Sequence, residues 1–179
     1  AMALAKKLHA PNLVMLNIPG GVNPASIAGA DISSAGGDLL AGAESCFPLM
    51  DVFDLSMRGG LDVAFLGGVQ FDVRGNVNAS VIGSYRKPNV RLPGGAGSAV
   101  LIPTAKKAII WRTKHDRRTF VEQVDFVTTR GNVWKIVTPL CVFEFRHGRL
   151  RLDSIHYYSL LEEVRENNGF ELQYDEIRT

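Results

Sequence analysis

One short segment of the chain is rich in glycine, and its backbone could bind a ligand. Residues 94–97 read Gly94-Gly95-Ala96-Gly97 and follow a proline. Because glycine lacks a Cβ, N–H groups in such a segment can approach a ligand closely and form a nest for an anion. An ordinary turn after the proline is the alternative interpretation. We call residues 94–97 the glycine loop and treat it as the first candidate binding site.

Side-chain amides recur upstream of the glycine loop, in the pattern G-x-Q-x-D-x-x-G-N-x-N over residues 68–78. Gln70, Asn76 and Asn78 could orient a carboxylate or a carbonyl group through hydrogen bonds. Asparagine beside glycine is typical of turns, so Asn76 is interpreted as structural. Gln70 and Asn78 therefore are the candidate substrate-binding side chains.

The cysteines and histidines do not form a metal-binding pattern. The four histidines share no H-x-x-x-H spacing, and Cys46 and Cys141 have no C-x-x-C partner. We therefore predict no metal site, and the lack of a disulfide framework favours a reducing compartment, the cytoplasm. Both cysteines are interpreted as small buried hydrophobic residues. Cys46 could act as a nucleophile only if nearby cations stabilised its thiolate.

Charge and composition bound the class of protein. The chain has 179 residues, 46% of them apolar and 21% charged, and its 20 Lys and Arg residues against 18 Asp and Glu give a formal charge of +2. These values are typical of one soluble globular domain, and no run reaches the ~20 apolar residues that span a bilayer. The basic segment 112–118 could contact phosphate or could be a solvated loop. It carries no nucleic-acid-binding signature, so we predict neither a nucleic acid nor a membrane partner.

The sequence predicts both helices and strands, and these elements must position the candidate site residues. Apolar runs and stop signals predict helices at residues 2–9, 49–58 and 159–166, the last opened by a capping box of Ser159 and Glu162. They predict strands at residues 12–17, 61–66, 79–82, 108–112, 119–128 and 134–138, and a hairpin of residues 142–146 and 149–155 around His147-Gly148. The segment 22–47 is expected to be mostly loop with short helical turns. The fold class is therefore α/β.

Residues 61–98 together resemble a known family. The matching features are a buried strand that ends in Gly67-Gly68, the G-x-Q-x-D-x-x-G-N-x-N block and the sequence Arg91-Leu92-Pro93 before the glycine loop. The similarity continues through residues 119–128 and 159–172, so it covers most of the chain. These segments resemble the B (beta) subunit of class I coenzyme A transferases of the glutaconate CoA-transferase type.

The resemblance implies an open mixed sheet flanked by helices, the CoA-transferase fold. It implies a heterodimer or heterotetramer with an A (alpha) subunit and an acyl-CoA thioester as the substrate. In this interpretation the amides of the glycine loop stabilise the thioester oxyanion. Lys87 and Arg91 are the candidates for contact with the phosphates of coenzyme A. Residues 1–179 are expected to form a single domain that lacks the family's first strand and C-terminal tail.

The residue that aligns with the family's nucleophilic glutamate cannot act as a nucleophile. In the transferases, a glutamate in an E-S-G motif of this subunit attacks the acyl-CoA, forms an anhydride and then carries CoA as a glutamyl thioester. Aligned without gaps over residues 10–20, that motif falls on Ile18-Pro19-Gly20. Isoleucine offers no nucleophile, acid or base. A glutamyl thioester at residue 18 is therefore excluded.

Three functions remain open at this stage. The first is the beta subunit of a CoA-transferase-family enzyme that acts on an acyl-CoA. The second is an acyl-CoA hydrolase, C–C-cleaving enzyme or decarboxylase subunit that uses a base from the partner subunit, since some relatives with this fold lack the glutamate and catalyse such reactions. The third is a non-catalytic scaffold subunit. Glu44, in the sequence Glu44-Ser45-Cys46, is the second candidate for the nucleophile.

Overall fold

The structure is a computed structural model that describes residues 2–25 and 35–178. The chain divides into two compact units, residues 1–55 and 56–179. The prediction that the chain acts as a single domain stays a prediction.

The first unit contains few regular elements. In chain order these are helix α1 (Met2–Leu8), strand β1 (Gly21–Val22), a 3-10 helix (Gly37–Leu40), strand β2 (Ser45–Cys46) and helix α2 (Leu49–Met57), which ends beyond the unit boundary. β1 and β2 pair antiparallel, with Gly21 opposite Cys46. The predicted helices at residues 2–9 and 49–58 are thus confirmed.

The strand predicted at residues 12–17 is wrong. This apolar run forms only an isolated bridge between Leu16 and Val22. Two of its other backbone bonds go to the turn that follows: the Asn23 N–H donates to the Met15 carbonyl at 2.8 Å, and the Asn17 N–H donates to the Gly21 carbonyl at 3.0 Å. The Leu13 N–H donates back to the Ala10 carbonyl at 2.9 Å. Val14 is 69% exposed, so the run is not buried on both faces. The nearby turn thus provides hydrogen-bond partners for this backbone, which a neighbouring strand would otherwise provide.

The second unit contains the sheet that the α/β class requires. In chain order its elements are β3 (Val63–Leu66), β4 (Gln70–Asp72), β5 (Val77–Asn78), β6 (Val81–Gly83), β7 (Pro88–Arg91), α3 (Ser98–Thr104), β8 (Lys107–Trp111), β9 (Phe120–Val121), β10 (Val133–Val137), β11 (Cys141–Arg146), β12 (Arg149–Ile155) and α4 (Leu161–Glu166). The main sheet has the order β12-β11-β10-β8-β3. β3, β8 and β10 run parallel, whereas β10, β11 and β12 pair antiparallel.

Aromatic side chains form the centre of the core of the second unit. Phe71, Phe120 and Phe143 are fully buried, and the ring of Phe120 lies 5.6 Å from that of Phe71 and 5.0 Å from that of Phe143. Ile110 and Ile136, on neighbouring strands, are also fully buried. These contacts join the main sheet to a smaller sheet of order β5-β4-β9. β4 and β5 therefore pack against the same hydrophobic core as the main sheet, and this core fixes their positions.

The strand predicted at residues 119–128 is present only in part. β9 covers Phe120–Val121 and pairs with β4. Beyond it the backbone donates to side chains, since the Val124 N–H bonds to Asp72 Oδ2 at 3.3 Å and the Asp125 N–H to Gln70 Oε1 at 3.2 Å. Side-chain acceptors thus replace a strand partner in this segment.

Two local predictions in the second unit have opposite outcomes. The hairpin is confirmed, because β11 and β12 pair around His147 (φ 55°) and Gly148 (φ 75°). The capping box is wrong: α4 begins after Leu160, which makes no side-chain cap, and the buried Ser159 Oγ has no hydrogen-bond partner among the described residues. The helix starts too late for Ser159 to reach its first free amides.

Within residues 2–25 and 35–178, no helix is long and apolar enough to cross a membrane.

Candidate functional site

The glycine loop lies between the β6–β7 hairpin and α3, and its first residue is fixed to the segment before the hairpin. The Gly94 N–H donates to the Ala79 carbonyl at 2.9 Å, and Gly94 has a φ of 95°. At the other end, the Ser98 N–H and Oγ both donate to the Gly95 carbonyl. Both ends of the loop are therefore held by hydrogen bonds within the second unit.

The middle of the glycine loop presents three consecutive backbone donors. The N–H groups of Gly95, Ala96 and Gly97 have no acceptor in the part of the chain that the structure describes. Ala96 has a φ of 40° and Gly97 a φ of −61°, and successive residues of opposite φ are the arrangement that turns N–H groups toward one point. The loop is partly exposed: Ala96 is exposed, and Gly95 and Gly97 are half-buried.

Close packing, and not a positive φ, is the reason that residue 95 has to be a glycine. A Cβ on Gly95 would lie 2.7 Å from Ala99 Cβ and 3.0 Å from Thr128 Cγ2. Real side chains do not approach so closely, so any larger residue must displace the loop. Substitution of Gly95 would therefore change the loop's conformation as well as access to its amides, and Gly97 is the cleaner position for testing the donors.

A polar network lies beside the glycine loop and includes two of the predicted site residues. Asn78 is fully buried and donates through Nδ2 to Gln70 Oε1 at 2.7 Å and to the Val81 carbonyl at 2.6 Å. Gln70 Nε2 donates to Asp125 Oδ2 at 3.3 Å, and the same carboxyl oxygen accepts the Gly83 N–H at 2.8 Å. Both amide protons of Asn78 are thus used within the chain, whereas Gln70 has one left over.

Thr128 connects this network to the glycine loop. Its Oγ1 accepts the Ala79 N–H at 2.8 Å and shares a hydrogen bond of 2.7 Å with Ser80 Oγ, while its methyl group lies beside Gly95. Neither Thr128 nor Asp125 is among the site residues predicted from the sequence. They lie about fifty positions after Gln70 and Asn78. The parallel pairing of β4 with β9 and the antiparallel bridge between Val77 and Thr129 bring their segment close.

Asp72 organises the turn inside the G-x-Q-x-D-x-x-G-N-x-N block. Its Oδ1 accepts the N–H groups of Arg74 and Asn76, and its Oδ2 accepts the Val124 N–H and Asn76 Nδ2. Asp72 is 1% exposed. The interpretation of Asn76 as a structural residue agrees with its hydrogen bonds, which close this turn.

Replacing Asp72 by alanine is expected to lower the free energy of unfolding by about 2–3 kcal/mol, because it leaves buried N–H donors without an acceptor. Urea denaturation followed by circular dichroism measures the loss. Asp62→Ala is the control, since Asp62 forms an exposed ion pair with Lys106 and its removal should change stability little. Equal stability of the two variants would show that the Asp72 bonds do not hold the block together.

The two candidates for contact with coenzyme A phosphates lie on the β6–β7 hairpin. Lys87 is exposed in the turn of the hairpin. Arg91, at the end of β7, donates to the Tyr85 carbonyl at 3.3 Å, and its guanidinium lies 4.9 Å from the centre of the Tyr85 ring. The Tyr85 ring stacks on Phe126 at 5.0 Å. Arg91 is therefore held in place, while Lys87 has no side-chain partner among the described residues.

Ile18, at the expected position of the family's glutamate, and Glu44, the alternative nucleophile, both lie in the first unit. Ile18 occupies the turn from Asn17 to Gly20, which is closed by a 3.0 Å bond from the Gly20 N–H to the Asn17 carbonyl. Glu44 is exposed, and its Oε2 accepts Asn23 Nδ2 at 3.0 Å. The partner of Glu44 is thus an amide, and no base is hydrogen-bonded to its carboxylate among the described residues.

The two cysteines have different environments. Cys141 is fully buried, as predicted, and burial raises the pKa of its thiol to about 12 even though Thr138 opposes the shift. This thiol is therefore protonated and unreactive at neutral pH. The prediction of burial is wrong for Cys46, because both residues of β2 are exposed at the edge of a two-stranded ladder. Among residues 2–25 and 35–178, no group of three potential metal ligands comes together.

His115 is a titratable group packed against the aromatic core. Its ring stacks on Phe120 at 4.5 Å, and its Nδ1 lies 3.0 Å from Thr138 Oγ1. Burial lowers the pKa of His115 to about 4, although the charge of Asp116 acts in the opposite direction. Protonation of His115 is therefore disfavoured in the folded state.

The lowered pKa of His115 predicts loss of stability in acid. An unfolded histidine binds a proton near pH 6.5, and the folded one does so only near pH 4, so this group destabilises the fold progressively as pH falls from 6.5 to 4 and contributes no pH dependence above 6.5. Thermal unfolding measured over this range should show a steeper acid loss for the natural chain than for His115→Phe, which keeps an aromatic ring but cannot be protonated. Parallel curves for the two proteins would contradict the assignment.

Comparisons with known proteins agree with this geometry. The model of the coenzyme A transferase family matches residues 21–167. The chain is 32% identical over 197 residues to the B subunit of 3-oxoadipate CoA-transferase from Pseudomonas knackmussii, and the match covers 98% of this chain and 74% of that protein. It is 33% identical over 129 residues to the B subunit of glutaconate CoA-transferase from Acidaminococcus fermentans, and that match covers 62% of this chain and 48% of the relative.

A solved structure gives the same result. The crystal structure of the decarboxylase AibA/AibB superposes with a TM-score of 0.88 at 31% identity, over 96% of this chain and 72% of that chain. The α/β class and the CoA-transferase fold predicted from the sequence are thus confirmed. With the family match over residues 21–167, these similarities show that the chain belongs to the coenzyme A transferase family of enzymes, as a protein of the B (beta) subunit type.

Proposed function

We propose that this chain is the B (beta) subunit of a two-subunit enzyme that acts on an acyl-CoA thioester. The relatives with the names 3-oxoadipate and glutaconate CoA-transferase are B subunits, and AibA/AibB has two differently named chains. By analogy, the partner of this chain is an A (alpha) subunit in a heterodimer or heterotetramer. The observation that carries the proposal is the row of three free amides at Gly95, Ala96 and Gly97, free among the residues that the structure describes.

The glycine loop suits a reaction at a carbonyl group. When a nucleophile attacks a thioester, or when a carbanion forms next to it, negative charge develops on the carbonyl oxygen. Fixed amide donors stabilise that charge without having to reorganise during the reaction. The hydrogen bonds at Gly94 and Ser98 hold the two ends of the loop, so its donors are fixed before substrate arrives.

The predicted roles of Gln70 and Asn78 follow from their remaining hydrogen-bonding capacity. Gln70 has a free amide proton and is the better candidate for direct contact with substrate. Asn78 has none, so it acts by holding Gln70 Oε1 and the start of β6. Lys87 and Arg91 are proposed to bind the phosphates of coenzyme A, because both carry positive charge on the hairpin that leads into the glycine loop.

Ile18 distinguishes this proposed enzyme from a transferase that forms a glutamyl thioester. With an isoleucine at the position of the family's glutamate, the thioester must be processed without covalent attachment to residue 18. A hydrolase, a C–C-cleaving enzyme or a decarboxylase subunit is the second candidate function, and the similarity to the decarboxylase AibA/AibB favours it. In that case the general base comes from the A subunit. A non-catalytic scaffold is the third candidate.

Product analysis distinguishes these functions. The purified complex of this chain with its A subunit is incubated with an acyl-CoA, with and without an acceptor carboxylic acid. New acyl-CoA that appears only with the acceptor identifies a transferase, whereas free CoA, carbon dioxide or a cleaved acyl chain without the acceptor identifies the second candidate. If the complex does not bind any acyl-CoA, both enzymatic proposals are contradicted and the scaffold remains.

A further inference from the structure

A separate cavity in the second unit is rich in arginine. It has a volume of about 840 Å³, and its walls include Arg117, Arg149 and Arg165 together with Glu122 and Glu171. The cavity shares no residue with the glycine loop or with the Gln70 network. Arg117 belongs to the basic segment 112–118, to which the proposed function assigns no role.

The arginines retain donors that the chain does not use. Arg117 donates through Nε to the Asn168 carbonyl at 3.2 Å, which fixes the side chain and leaves both of its terminal NH₂ groups without a partner in the described residues. Arg149, the first residue of β12, has no side-chain partner within those residues. Arg165 is held by a bond of 2.5 Å from Nη2 to the hydroxyl of Tyr174.

One wall of the cavity also contains an unsatisfied buried acceptor. Asn168 is 2% exposed, and its Nδ2 donates to the Phe170 carbonyl. Its Oδ1 has no hydrogen-bond donor among residues 2–25 and 35–178. An unsatisfied buried acceptor is unfavourable, and most such groups in native proteins have a partner. Asn168 also lines the cavity, but its Oδ1 is closed off from solvent, so a ligand reaches this atom only if the side chain shifts.

The charge of the cavity favours an anion. The three arginines outnumber the two glutamates, and a guanidinium group binds carboxylate or phosphate through two parallel hydrogen bonds. We propose that this cavity binds a small molecule with a phosphate or carboxylate group, held by Arg117 and Arg149 with Arg165 beside them. Glu122 and Glu171 accept hydrogen bonds from hydroxyl or amine groups of the same ligand.

Calorimetric titration of the full chain at low ionic strength tests this site with pyrophosphate and with citrate, which represent phosphate and carboxylate ligands. At least one of them should bind saturably, and Arg149→Ala should weaken that binding by roughly tenfold or more, because a charge-assisted hydrogen bond is lost. Arg118→Ala is the matched control, because Arg118 is next to Arg117 and 91% exposed but does not line the cavity. It should change the affinity less than twofold.

Two further measurements separate the possible ligands and guard against misfolding. Arg117→Ala should weaken binding as Arg149→Ala does, and circular dichroism of each variant shows whether it is folded. Titration with coenzyme A shows whether the phosphate ligand is coenzyme A: if Arg149→Ala also weakens coenzyme A binding, the cavity holds its phosphates, and if not, the ligand is a different anion. Absence of binding by both pyrophosphate and citrate, or equal affinities of the natural chain and both cavity variants, overturns the proposal, and neither result depends on activity toward an acyl-CoA.

Discussion

Gly97→Pro is expected to lower kcat toward an acyl-CoA by about 100- to 1,000-fold in the complex with the A subunit, the usual effect of losing one donor to an oxyanion. Proline removes a single backbone donor, the N–H of residue 97. Gly97 has a φ of −61°, close to the value that proline adopts. Ala96 before it has a φ of 40°, whereas a residue before proline prefers extended backbone, so circular dichroism and assembly with the A subunit must first show that the variant is folded. Steady-state kinetics with the purified complex measures the change.

Gly97→Ala is the matched control for this substitution. Alanine adds a Cβ at the same position but keeps the amide donor, so it reports the effect of bulk alone. We expect its kcat to fall by less than tenfold. If the alanine and proline variants lose activity equally while both still assemble with the A subunit, the amide of residue 97 does not stabilise the reaction.

Ile18→Glu is expected to introduce a covalent intermediate that the natural chain does not form. The resemblance to glutaconate CoA-transferase places the nucleophilic glutamate at this position. A carboxylate there supplies the group that attacks a thioester and then carries CoA. Mass spectrometry of the complex after brief incubation with an acyl-CoA should detect CoA attached to residue 18 of the variant, and hydroxylamine should remove it.

Ile18→Gln tests whether the adduct requires a nucleophile, because glutamine has the same length as glutamate but no carboxylate. It should carry no CoA. An adduct on Glu44 in the natural chain would identify Glu44 as the nucleophile and contradict the assignment of residue 18. Absence of an adduct in Ile18→Glu, with acyl-CoA binding retained, would show that residue 18 does not contact the substrate.

Several elements could be predicted from the sequence because their signals are local. The β11–β12 hairpin follows from two alternating runs around His147-Gly148, which both adopt positive φ. Helix α2 follows from its apolar spacing and ends just before Gly59. The family could be recognised because residues 68–78 concentrate amides, an aspartate and glycines in a short block. This block forms β4, β5 and the turn between them that Asp72 closes.

Other features depend on partners far away in the sequence and could not be predicted. The run at residues 12–17 has the composition of a buried strand, but only the structure shows that its backbone bonds go to the next turn. Thr128 and Asp125 join the network beside the glycine loop through the pairing of β4 with β9 and the bridge between Val77 and Thr129, both of which are distant in sequence. The arginine cavity likewise combines a loop, the start of β12 and α4, which no local pattern connects.

The most direct test of the proposed site is a crystal structure of the complex with a ketone analogue of an acyl-CoA, in which CH₂ replaces the sulfur and the carbonyl oxygen is kept. We predict that this oxygen lies about 3 Å from the backbone nitrogens of the glycine loop, among residues 95–97, with no covalent bond to this chain. A carbonyl group bound away from the glycine loop, or bonded to Glu44, would contradict the proposal.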